Sequence, residues 1–245
     1  MAFADLALGA LAALAATSFG SVAVVFFRRI GDATRSAMLA FAAGMMAFSC
    51  IEMLSQVHAS SADVVVIAGV SLGILALFAA DKLLPHVHAA VRKKELLAAK
   101  KKVLLIVGAI SIHNIPEGLA IASAFAGSTP LGWLVALSIA LQDIPEGLLV
   151  AAPLAAYGVT VGRSVSLGVL SGVVEAAAAV AAFVFLSAFT SITPIALAFS
   201  AGAMLYVILV ELLPDALANN MERVAAVSFV AGAAVAFAAA SLLAF

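Results

Sequence analysis

Apolar runs of membrane-crossing length follow one another along almost the whole chain, at about 3–27, 35–56, 62–84, 103–127, 130–156, 161–188, 191–214 and 221–244. A helix needs about 20 apolar residues to cross the hydrocarbon core of a bilayer. Backbone amides in hydrocarbon must be satisfied within their own segment, so such runs predict helices. No polar stretch is long enough for a soluble domain: 66% of the 245 residues are hydrophobic and 10% are charged. Soluble domains carry about 25% charged residues. The sequence therefore predicts an all-α polytopic membrane protein with eight transmembrane helices, a single transmembrane domain over 1–245.

The charges fix an orientation for that count. Arg28, Arg29, Arg35, Lys82, Arg92, Lys93, Lys94, Lys100, Lys101, Lys102, Arg163 and Arg223 are all twelve basic residues, and eight spans place every one in or beside loops on one side. The opposite loops, 57–61, 128–129 and 189–190, carry none. The positive-inside rule then predicts a multi-pass protein of the cell (inner or plasma) membrane with both termini outside. The 85–102 stretch becomes a basic cytoplasmic loop, solvated or resting on anionic lipid headgroups. The apolar N-terminus has no basic region before it and reads as the first span, not a signal peptide. The lone Cys50 excludes a disulfide framework and a CxxC metal site. A net charge of -1 gives no sign of nucleic-acid binding.

Two segments break the apolar pattern: His113-Asn114-Ile115-Pro116-Glu117-Gly118 in the fourth span and Gln142-Asp143-Ile144-Pro145-Glu146-Gly147 in the fifth. Ionisable groups in hydrocarbon are costly and mark functional sites by default. His113 and Glu117 stand four residues apart on one helix face, and the fifth span repeats the arrangement. The short 128–129 loop makes the two spans antiparallel, so the segments should meet near mid-membrane as a local inverted repeat. Pro116 and Pro145 each remove a backbone hydrogen bond, predicting broken turns whose free carbonyls line the same place. The sixth span adds Glu175 among small residues, and the second adds Met45 and Met46 as possible thioether ligands. Four carboxylates (Glu117, Asp143, Glu146, Glu175) cannot all ionise side by side without cations between them. One or two divalent metals resolve the repulsion. Imidazole with carboxylate suits zinc, iron or manganese, whereas magnesium and calcium prefer oxygen alone.

Weaker polar groups flank this centre. Asp81, His86 and His88 close the third span, while Glu211 and Asp215 close the seventh. They read either as a loose metal site on the cytoplasmic side or as polar helix ends. Glu52 and His58 near the outer end of the second span read mainly as interfacial polarity.

The quoted motifs, with Ser171-Gly172-Val173-Val174-Glu175 and Ala40-Phe41-Ala42-Ala43-Gly44-Met45-Met46, resemble those of the Zrt/Irt-like (ZIP) family of divalent metal transporters, and its bacterial GufA-type branch most. The resemblance covers all eight spans. It implies a binuclear site, with one metal on Met46, His113, Glu117, Gln142 and Glu146. The second metal would rest on Asn114, Glu117, Asp143, Glu146 and Glu175, with Glu117 and Glu146 bridging. It further implies a homodimer and an elevator-like motion of spans 1, 4, 5 and 6 (transport) against spans 2, 3, 7 and 8 (scaffold). His86, His88 and Glu211 would form the exit site. Val210 stands where related members can carry a histidine, and Gln142 where many do.

The resulting expectation is an importer, not an enzyme, with Zn2+ as transported substrate and Cd2+ or other divalent ions as alternatives. Protonation of the carboxylates and His113 would release the metal. A carboxylate-lined channel and a static metal receptor are the rival classes. An intramembrane metalloprotease would need a His-Glu-x-x-His helix, which is absent.

Overall fold

A computed structural model of the chain describes residues 2–83 and 99–243. The helices are α1 Ala2–Val22, α2 Asp32–Ser60, α3 Asp63–Leu83, α4 Ala99–Gly127, α5 Thr129–Ala156, α6 Val161–Ala188, α7 Thr193–Val207 and α8 Glu222–Leu243. No strand occurs among the described residues. Seven helical segments among the described residues are long and apolar enough to cross a membrane, one of them Thr190–Ala216, which contains α7, and α4, with 29 residues, supplies the length of the eighth. The chain is a multi-pass helical membrane protein. Because α4 begins at Ala99, Lys100, Lys101 and Lys102 stand in its first turn, although the hydropathy pattern assigns them to the preceding loop.

The expected broken turns do not occur. α4 runs unbroken through Pro116, and α5 through Pro145 and Pro153. Each proline removes one backbone bond, and the neighbouring bonds of a helix packed on several sides hold the rest in register. The irregular backbone lies instead in the seventh span. There α7 passes into a π-helical turn, Ile208–Leu212, before a last short helix, Leu213–Ala216. Pro214 cannot donate to an α-helical ladder, and a π turn widens the helix just ahead of it. Asn219 and Asn220 then adopt left-handed φ values of 59° and 60° and turn the chain into α8. Asparagine tolerates that conformation better than other side chains bearing a Cβ.

The helices pack as two groups. In the first, α1 lies along α5 and α6, and α4 lies against α5 and α6. In the second, α3 pairs with α7, α2 pairs with α8, and α2 also meets α7. The groups join where α2 and α8 touch α5 and where α4 touches α7. In hydrocarbon no hydrophobic effect pulls helices together, so close backbone approach between small residues has to hold them. The α1–α5 crossing has this reciprocal form. A Cβ on Gly20 would stand 2.0 Å from the Ile144 carbonyl oxygen, and one on Gly147 would stand 2.2 Å from that of Thr17. The α2–α8 crossing repeats it with Gly44 against Phe229 and Gly232 against Phe41. Cys50 is sealed on α2, its thiol 3.6 Å from the Ala201 carbonyl oxygen of the seventh span.

Gly162, in the first turn of α6, has open space beside it, and a Cβ there would meet nothing within 4 Å. Gly162→Ala is therefore expected to preserve the fold and add up to about 1 kcal/mol through helix propensity. Thermal unfolding in detergent reads this directly.

Candidate metal centre

Ser128 caps α5, its hydroxyl accepting from the Leu131 amide, and Pro130 follows at the start of the helix. This stop-and-restart turns α5 back along α4 and sets their two polar segments side by side. His113, Asn114 and Glu117 come from α4, Gln142, Asp143 and Glu146 from α5, and Glu175 from α6. Asn114, Glu117, Gln142, Asp143 and Glu175 are all buried, none more than 2% exposed.

Glu117, Asp143 and Glu146 each bring a carboxylate oxygen within 4.8 Å of the others. The Gln142 amide donates from Nε2 to Glu117 Oε1 at 2.7 Å. Thr17 of α1 donates from Oγ1 to Asp143 Oδ2 at 3.2 Å. Glu175 lies beside Asp143 and Asn114 and close enough to Glu146 to feel its charge. Six buried oxygens of this cluster accept no well-formed hydrogen bond among the described residues, although Glu175 comes within reach of Asp143 and Asn114: Asn114 Oδ1, Glu117 Oε2, Gln142 Oε1, Asp143 Oδ1 and both oxygens of Glu175. An unsatisfied buried polar atom costs about 1–3 kcal/mol. These six acceptors lie on three adjacent helices, and they are the groups a cation there could satisfy.

His113 points elsewhere. Its Nε2 meets Oε2 of Glu211, on the π-helical turn of the seventh span. Glu146 lies close enough to both to interact with each. The sequence groups Glu211 with His86 and His88. The structure brings it to the edge of the central cluster, and the two histidines lie outside the described residues. Polar groups continue from there: the Tyr206 hydroxyl, near Glu211, donates to Asp81 Oδ2 at 3.1 Å. Met46 is buried on α2 within the main hydrophobic core. At the outer end, His58 Nδ1 and Asp63 Oδ1 are 2.9 Å apart and exposed.

Sequence reasoning misses Thr17 and Ser21 of α1. The Ser21 hydroxyl lies 2.8 Å from the Thr17 carbonyl oxygen and 3.3 Å from that of Gly147, so both hydroxyls border the polar segment of α5. The available signal is the run Thr17-Ser18-Phe19-Gly20-Ser21 inside an apolar span, three hydroxyls around a glycine.

The family described as ZIP Zinc transporter matches residues 89–240. The zinc transporter GufA of Myxococcus xanthus is 44% identical over 66% of this chain and 65% of its own length. The zinc transporter ZIPB of Bordetella bronchiseptica is 38% identical over 93% of this chain and 78% of its own. ZupT of Salmonella newport, also a zinc transporter, is 33% identical over 83% of each. The chain thus spans just under two thirds of GufA and more than three quarters of the other two.

Proposed function

The chain belongs to the ZIP zinc transporter family, and on that premise we propose that it carries zinc across the cell membrane into the cytoplasm through a binuclear site built on α4, α5 and α6, with Met46 of α2. The observation that carries this reading is the set of six buried oxygen acceptors without donors. One cation rests on Asn114, Asp143 and Glu175, sharing Glu117 and Glu146 with the other. The second is completed by His113, Gln142 and Met46, with His113 turning from Glu211 to the metal. This second site mixes nitrogen, oxygen and sulfur donors, which suits borderline ions and accommodates cadmium as well as zinc. A buried, fully liganded ion needs two alternate openings rather than an open pore. The packing into two groups supports such a motion: α1, α4, α5 and α6 contact one another on one side, and α2, α3, α8 and the seventh span on the other. The first group slides as the transport unit, and the second stays as the scaffold of a homodimer. Glu211, on the scaffold and in contact with His113, would accept a released ion, with His86 and His88 as further ligands of the proposed exit. The one-sided distribution of basic residues favours both termini outside. No enzymatic step is assigned.

Purified protein in liposomes loaded with a zinc-sensitive dye tests this. Uptake should saturate with external zinc and compete with cadmium. Flux that rises linearly with concentration and carries single-channel current would mean a channel; tight zinc binding without flux would mean a static receptor.

A further inference from the structure

We propose that Thr17 is a positioning residue for metal binding: its hydroxyl holds Oδ2 of Asp143 so that Oδ1 is the oxygen presented to the cation shared with Glu175. The inference rests on the binuclear reading above and adds a residue of α1 that contributes no ligand of its own.

The hydroxyl lies 3.2 Å from Asp143 Oδ2 and 3.0 Å from the Ala13 carbonyl oxygen. Threonine inside a helix satisfies itself on the carbonyl four residues back. That contact alone would explain Thr17 if Asp143 were elsewhere, yet the hydroxyl is shared with a carboxylate from a helix 126 residues away. It engages one oxygen of Asp143, and the other, Oδ1, is among the buried atoms without a partner. A hydrogen bond on Oδ2 limits the rotation of the carboxylate and leaves Oδ1 as the less encumbered oxygen for a cation.

The surroundings keep Thr17 from moving. It is 1% exposed. A Cβ on Gly172 of α6 would stand 3.1 Å from its Cβ and 3.2 Å from its Oγ1. A Cβ on Gly147 of α5 would stand closer still, 2.2 Å from its carbonyl oxygen. Gly147 follows Asp143 by four residues and Gly172 precedes Glu175 by three, so each glycine shares a face with the acid it accompanies. Thr17 therefore fills the notch between the two ligand-bearing helices directly behind Asp143 and Glu175. Partners that orient ligands in this way typically contribute 10–100-fold in metal affinity.

Calorimetric titration of cadmium into the purified full-length protein, as wild type, Thr17→Val and Thr17→Ser, tests the proposal. Valine keeps the shape and removes the hydroxyl; serine keeps the hydroxyl and removes the methyl. Thr17→Val should weaken the Asn114–Asp143–Glu175 site about tenfold and spare the His113 site, with Thr17→Ser close to wild type. Where Thr17→Val does not give monodisperse protein, Thr17→Ala removes the same hydroxyl with less bulk. Wild-type affinity in Thr17→Val overturns the proposal. So does an equal loss in Thr17→Ser, which would make the effect one of packing. Absence of cadmium binding by the wild type overturns the binuclear reading as well, so the two failures are told apart.

Discussion

Replacing Glu117 by alanine is expected to abolish saturable zinc uptake into liposomes while the protein still folds. Glu117 is the most heavily committed acid of the centre. One oxygen accepts from Gln142 and the other is buried without a partner. Its carboxylate lies within 4.8 Å of those of Asp143 and Glu146, and it feels the charge of Glu175. In the proposed binuclear site such an acid would serve both cations, so its loss would damage two sites at once. Orienting partners alone are worth 10–100-fold in affinity, so removing a shared ligand should cost more than about a hundredfold. Folding should survive, because the alanine leaves one fewer acid to bury next to three others, although Gln142 loses its acceptor. Dye-reported uptake beside the thermal unfolding temperature separates the two effects. Uptake within threefold of wild type would remove Glu117 from the centre.

The second large effect concerns a residue that touches no metal. Gly20→Ala should destabilise the protein by about 3 kcal/mol or more, at or beyond the upper end of ordinary overpacking. The new methyl would stand 2.0 Å from the Ile144 carbonyl oxygen and 3.2 Å from that of Asp143. Both neighbours are backbone, so no rotamer change relieves the clash and α5 must move. Asp143 then moves with it, and cadmium affinity should fall together with the unfolding temperature. Gly162→Ala is the matched control, with open space around its Cβ. Equal unfolding temperatures for the two variants would show that the α1–α5 crossing is looser than these distances state.

The helices are legible in the sequence because hydrocarbon admits few alternatives and because punctuation is strong. The run 161–188 coincides with Val161–Ala188, and 130–156 begins one residue inside Thr129–Ala156, where Ser128 and Pro130 mark the start. Bounds are poorer for 35–56, observed as Asp32–Ser60, because a helix continues past the membrane edge while hydropathy does not. The polar segments of α4 and α5 stand out since charge in an apolar run has few innocent explanations. Three features are hidden. Nothing in linear spacing reveals the π turn that carries Glu211 to His113. Threonine in a membrane helix usually bonds its own backbone, so Thr17 looks self-contained. The prolines promise interruptions that neighbouring helices suppress.

Cys50 has a practical consequence. As the single thiol of the chain, sealed between α2 and the seventh span, it is shielded from water-borne alkylating and spin-labelling reagents. The native protein is thus close to a silent background for probes attached to introduced surface cysteines. A pair of labels, one on each helix group, would report their separation through a transport cycle without the native thiol first having to be replaced.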